Sequence, residues 1–174
     1  LDGLILPRLV RHIRGFVSRP GQSAAGLGRD ADKVYGQARR LFRGLVENVP
    51  DSYLGDEAER FKTEIDGRAM RHLRNIREII DRLTEGLEAR QVLRKYEGLC
   101  AHTLWELKGV RETIAAFEAH GSLVYWLEKP EGLCSPNADE TRLCAIPKGL
   151  GELLYTALWG KGVPVIIPSG TLSA

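Results

Sequence analysis

Two hydroxyls flank a glycine at Ser169-Gly170-Thr171, directly after a short apolar run from Val163 to Ile167. A β-branched run of that length reads as a strand buried on both faces, the kind found in parallel sheets. In such sheets ligand chemistry gathers just past the carboxyl ends of the strands. Hydroxyls placed there can exchange hydrogen bonds with a neighbouring loop, although Ser-Gly-Thr is also ordinary turn chemistry. They lack an adjacent His or Lys base, so neither is a nucleophile. The remaining chemical candidates are weaker. Gly160-Lys161-Gly162 lacks the spacing and hydroxyl of a phosphate loop, and Gly26-Leu27-Gly28-Arg29-Asp30-Ala31 fits a dinucleotide pattern with no strand in front of it. Cys100-Ala101-His102 has the wrong spacing for a helical metal pair, and His72 and His120 have no close partner in sequence. Asp56-Glu57-Ala58-Glu59 is rich in carboxylates, but acids in a helix's first turn complement its dipole. No residue of the chain qualifies as catalytic.

Arginines supply the other chemistry. Arg8, Arg11 and Arg14 recur every three residues beside an apolar stripe, Arg39, Arg40 and Arg43 follow, and Arg68, Arg71, Arg74 and Arg77 form a second series. Such rows are either the solvated side of a docking helix or contacts to nucleic-acid phosphates. The candidate DNA contacts are Arg8, Arg11, Arg14, Arg39, Arg43, Arg71 and Arg74. Steps of three rotate about −60° around a helix axis, so the second series spirals across a face, where Glu78 and Asp81 can pair with it.

These residues must be positioned by helices. Leu4, Ile5, Leu9, Ile13, Phe16 and Val17 mark a helix over 4–19, with Pro7 tolerated in its first turn. Residues 19–29 are rich in Pro, Gly, Ser and Ala and read as a flexible loop. Asp30 is the expected N-cap of a helix over 31–49, with Val34, Ala38, Leu41, Leu45 and Val49 inward and Arg39, Arg40 and Arg43 outward. Pro50-Asp51-Ser52 ends it. One long helix is predicted over 56–90, through Ala58, Phe61, Ile65, Ala69, Leu73, Ile76, Ile80, Leu83 and Leu87. Gly67 and Gly86 weaken it by about 1 kcal/mol each. A second stripe runs through Val92, Tyr96, Leu99 or Cys100, Thr103, Leu107, Val110, Ile114 and Phe117, and ends at His120-Gly121. Two such helices should form an antiparallel hairpin. Strands over 122–128 and 142–146 can pair across a long loop, and a short helix over 151–159 precedes the terminal strand. The fold class is mainly α with a small α/β part.

The 174 residues suffice for one good core or two small ones. A net charge of +2 excludes a uniformly basic nucleic-acid binder, though basic residues outnumber acids before Pro50. No apolar run approaches the ~20 residues of a membrane span. Three widely spaced cysteines, Cys100, Cys134 and Cys144, favour free thiols in a reducing cytoplasm. A start at Leu1 without Met is expected of a piece of a longer chain.

Read backwards from Ser169, the order is Leu158-Trp159, Gly151-Glu152-Leu153-Leu154 and Pro147, with Tyr125-Trp126-Leu127-Glu128 before it. This order resembles the DinG-type, Rad3-related superfamily 2 DNA helicases. There P-x-x-x-G-E-x-L-x-x-x-L-W leads into a strand ending in S-A-T-L or S-G-T-L, the family's motif III. Gly170 stands where the family often has Ala, and Pro168 where it often has Thr. The resemblance covers roughly the last thirty residues, and the helical remainder fits by position as the arch between motifs II and III. It implies an arch over residues 1–120 and the returning edge of the first RecA-like motor domain over 121–174. It also implies a parent that hydrolyses ATP with magnesium and moves 5′ to 3′ along single-stranded DNA, with the arch helping to enclose the strand. Ser169, Gly170 and Thr171 would couple nucleotide state to strand gripping. Asp56-Glu57-Ala58-Glu59 resembles the family's D-E-A-H box but lacks the strand that would aim it. The family's iron–sulfur cluster, where present, uses four cysteines upstream of motif II, so no cofactor is expected within this stretch, and without a phosphate loop it should not hydrolyse ATP. The implied partners are single-stranded DNA and the rest of the motor, with no membrane. The rival reading is a non-enzymatic helical module that binds a protein.

Overall fold

The computed structural model describes residues 1, 3, 5–17, 25–49, 60–89, 97–119, 123–128 and 141–161. Its elements are α1 (Ile5–Val17), α2 (Ala25–Glu47), β1 (Arg60–Thr63), α3 (Gly67–Glu88), α4 (Glu97–Ala119), β2 (Leu123–Glu128), β3 (Arg142–Pro147) and α5 (Leu150–Ala157), with a 3-10 turn over Trp159–Lys161. Helices α1 to α4 pack in sequence, α1 on α2, α2 on α3 and α3 on α4, and α1 returns to α4 to close a four-helix bundle. A mainly α chain with a small sheet is what the periodicities predict.

Each helix buries the stripe its sequence carries. Leu6, Leu9, Val10 and Ile13 come from α1, and Val34, Ala38, Leu41, Phe42 and Leu45 from α2. Leu73, Ile76, Ile80, Leu83 and Leu87 of α3 face Leu107, Val110, Ile114 and Phe117 of α4 in the same core. The α3–α4 hairpin is antiparallel: Arg74 and Arg77 reach Glu118, Arg111 reaches Asp81, and Lys108 bonds Glu88 at 2.7 Å. Between Leu99 and Cys100, the cysteine is the buried one and Leu99 stands exposed.

The single long helix expected over 56–90 is corrected. Residues 60–63 are a strand, and the helix starts at Gly67 behind Asp66, whose carboxylate accepts the Ala69 N–H at 2.7 Å. Phe61 and Ile65 sit at helical spacing, but Phe61 and Thr63 also alternate with Arg60 and Lys62, and pairing with β2 selects the period of two. A second correction concerns α2, which begins at Ala25 rather than after Asp30. Asp30 lies inside the helix, paired with Lys33 and with Arg82 of α3. Leu27 anchors this extra turn by packing on Gly86, where a Cβ would stand 2.5 Å from the leucine methyl. Gly86, read from sequence as a weak point, is therefore the notch that lets α2 and α3 approach.

The sheet has the order β1-β2-β3 with both pairings antiparallel. Register places Phe61, Leu127 and Leu143 in one cross-strand row, all buried in the same hydrophobic cluster as the bundle. The next row is Arg60, Glu128 and Arg142. Glu128 accepts the Trp126 indole N–H at 2.9 Å and lies 3.1 Å from Arg60 and 3.7 Å from Arg142, tying the strands together. The Trp126 hydrogen bond, with further help from Cys144 and the two arginines, holds the Glu128 carboxyl below its usual range against the opposing effect of burial. The backbone of Leu1 and Gly3 runs beside β3, with Leu143 N–H donating to Leu1 O at 2.8 Å and Gly3 N–H to Thr141 O at 3.0 Å. The hydrophobic cluster is thus continuous across residue 120.

Helix α5 buries no side chain, and Leu153, Tyr155, Leu158 and Trp159 are exposed on it and on the turn that follows. The expected strand over 163–167 lies outside the described residues.

Candidate nucleic-acid interface

The predicted phosphate contacts separate into two groups. Arg8 donates to the buried Glu106 of α4, and Arg14 bonds Asp32 of α2 through Nε at 2.9 Å. Arg74 bonds Glu118 at 3.1 Å. These three charges are spent between helices. Their partners lie far away in sequence, and the local pairing expected from Glu78 and Asp81 is replaced by bonds across the α3–α4 seam: Asp81 serves Arg111. Arg11 is exposed with no carboxylate within ion-pair distance among the described residues, and Arg39 lies over the Tyr35 ring, 5.7 Å from its centroid.

The second group gathers where α2 ends and α3 begins. His72 Nδ1 lies 2.7 Å from Gln37 Oε1, which sets these two residues side by side on neighbouring antiparallel helices. One turn from this contact stand Arg40 on α2 and Arg68 on α3, Arg71 directly precedes His72, and Arg43 follows Arg40 by three residues. All four are exposed, and among the described residues none is within ion-pair distance of a carboxylate. The field of three of them registers on His72. Burial lowers its pKa below 6.5, and Arg40, Arg68 and Arg71 each lower it further, opposed by Asp66. Asp66 is itself engaged in capping α3. The exposed start of α3 adds the positive end of a helix dipole beside Arg68.

Four unpaired guanidinium groups across two rigid helices form a surface for a row of anionic oxygens, with planar donors suited to phosphate. Arg43 and Arg71 belonged to the sequence-based set, and Arg40 and Arg68 did not. Their signal was an absence of partners in space, which no local pattern displays. Cys100 and Cys144 are free, and burial pushes both thiols up. Cys100 is buried while His102 is exposed and stacked on Trp105, so the two face differently. Among the described residues no three His, Cys, Asp or Glu side chains come together as a metal site. Ser169, Gly170, Thr171, Cys134 and the 56–59 carboxylates lie outside the described residues.

Comparison of the chain with protein-family models, with characterised proteins and with solved structures returns no match. No helix among the described residues is long and apolar enough to cross a membrane.

Proposed function

We propose that this chain is the arch insertion and adjoining motor edge of a DinG-type ATP-dependent DNA helicase, and that its α2–α3 arginine face holds the backbone of single-stranded DNA. The observation that carries the reading is the face itself. Arg40, Arg43, Arg68 and Arg71 repel one another, and Arg40, Arg68 and Arg71 act on His72 against the single opposing carboxylate of Asp66, an arrangement that costs stability until polyanion binds. The sequence order from Gly151 through Thr171 supplies the family. The bare apolar face of α5 suits the remaining motor domains as its partner. ATP and magnesium belong to the parent's motor, an iron–sulfur cluster would lie upstream, and a reducing cytoplasm is the setting implied.

The experiment is binding of a labelled single-stranded oligonucleotide across a salt series. Single strands lose about 0.7 log units of affinity per log unit of salt for each phosphate neutralised. Changing Arg40, Arg43, Arg68 and Arg71 to Gln should therefore flatten the slope by about 3. Changing Arg8, Arg14 and Arg74, which are spent on carboxylates, should flatten it far less. An unchanged slope in the first variant refutes the face. The rival reading, a protein-binding module, is favoured by the exposed apolar residues of α5, and salt-insensitive binding of a protein through Leu153 and Trp159 would establish it.

A further inference from the structure

Away from the arginine face, the seam between α1 and α4 opens into a groove of about 500 Å³, within the size range of small-molecule sites. Ile5 and Val110 line it with apolar surface, Trp105 stands along it, and Arg8 and Arg142, each paired with a carboxylate, are also in its lining. We propose that this groove binds one nucleotide unit of a single strand, its planar base lying against Trp105.

Three features converge on that chemistry. Trp105 is 72% exposed, more than any other large apolar side chain among the described residues. Its indole is stacked on His102 at 6.0 Å between ring centroids and 20° between planes, an aromatic plate held ready at the surface. One turn further along α4 is Gly109, where a Cβ would meet nothing within 4 Å. Beside the plate, then, the helix surface is open. Exposed aromatic side chains on which bases stack are how single-strand binders hold a strand by more than its phosphates alone.

Glu106 adds a preference among bases. It is only 5% exposed and lines the groove, and Arg8 occupies its Oε1. Its Oε2 is buried with no hydrogen-bond partner, and His102 Nε2 lies 3.6 Å from it, beyond bonding distance. A buried anionic oxygen behind the wall favours a base that presents an amine and disfavours one that presents a carbonyl. Cytosine and thymine differ in this respect at position 4. The groove therefore takes cytosine in preference to thymine.

This inference deepens the single-strand reading and rests on it for the source of the nucleotide, and the test separates the two. Binding of ten-residue oligo-dC and oligo-dT is measured by fluorescence anisotropy for the wild-type chain, Trp105→Ala and Trp105→Phe, with free dCMP both as competitor and, by titration calorimetry, as a ligand on its own. The expected result is tighter binding of oligo-dC than of oligo-dT. Trp105→Ala should weaken oligo-dC binding roughly tenfold or more, at an unchanged melting temperature because the side chain is largely in water, and Trp105→Phe should restore most of it. Competition by dCMP shows that the free nucleotide suffices; its failure shows that the flanking strand is needed, and both keep the groove as the site. If both oligonucleotides bind and Trp105→Ala binds them as the wild type does, the groove is refuted while the arginine face stands. If neither oligonucleotide binds but dCMP does, dependent on Trp105, the strand reading fails and the groove stands. No binding of any probe overturns both.

Discussion

Arg8 and Glu106 offer a test of how this bundle is closed. Glu106 is 5% exposed while Arg8 is 49% exposed, so the two halves of the pair are unequally placed. Arg8→Met keeps the aliphatic bulk and removes the charge. The Glu106 carboxylate then stays inside without its guanidinium partner, the His102 Nε2 lying 3.6 Å away. Stranding a buried charge costs about 3–5 kcal/mol, and the half-hydrated state of Arg8 places this case at about 3. At roughly 3 °C per kcal/mol for a chain of this size, the melting temperature should fall by about 9 °C. Glu106→Leu leaves the guanidinium free to turn toward water and should cost less than about 1 kcal/mol. The double variant, with both charges gone, should lie near the wild type. Thermal or urea unfolding of the four proteins completes the cycle. Equal losses in the two single variants, or no loss in Arg8→Met, would show that the seam is not held by a buried carboxylate.

Three further outcomes follow from the same structure. Leu73 is fully buried in the α3–α4 core, and Leu73→Asp should cost several kcal/mol and unfold the bundle at room temperature by circular dichroism. His72 has a folded pKa below its unfolded value, so between the two the unfolded chain binds more protons; its stabilising contribution is complete above about pH 6.5 and is lost as pH falls below that. His72→Gln should flatten the fall in melting temperature between pH 7 and pH 5, and an unaltered profile would show that burial and the arginine field do not hold its pKa down. If the chain belongs to a helicase as proposed, Ser169→Ala with Thr171→Ala in the whole enzyme should spare ATP and DNA binding and lower unwinding much more than ATP hydrolysis, measured side by side; a proportional fall in both would remove the coupling role.

The helices were legible because their information is local. Leu73, Ile76, Ile80 and Leu83 announce a buried stripe without reference to any partner, and the structure buries them all. Strand β1 was not legible because its evidence is distant. Arg60–Thr63 is short, Phe61 continues a helical spacing into Ile65, and β2, which decides the matter, lies beyond the whole α3–α4 hairpin. The early start of α2 was hidden for a related reason: Gly26 and Gly28 argue for a loop, and the contacts of this turn with α3, Leu27 on Gly86 and Asp30 with Arg82, exist only in the fold. The arginines make the same point about function. Sequence spacing put Arg8, Arg14 and Arg74 on a par with Arg43 and Arg71, yet the first three have carboxylate partners on other helices. Which cations remain for a ligand is settled by tertiary packing.

The most direct measurement is a nitrogen–proton correlation spectrum of the chain, including the arginine Nε–H signals, titrated with single-stranded DNA. The account predicts that the side-chain signals of Arg40, Arg43, Arg68 and Arg71 shift together and saturably, and that the His72 pKa rises as bound phosphates offset the arginine field. Shifts confined to α5, or a His72 titration that DNA leaves unchanged, would contradict it.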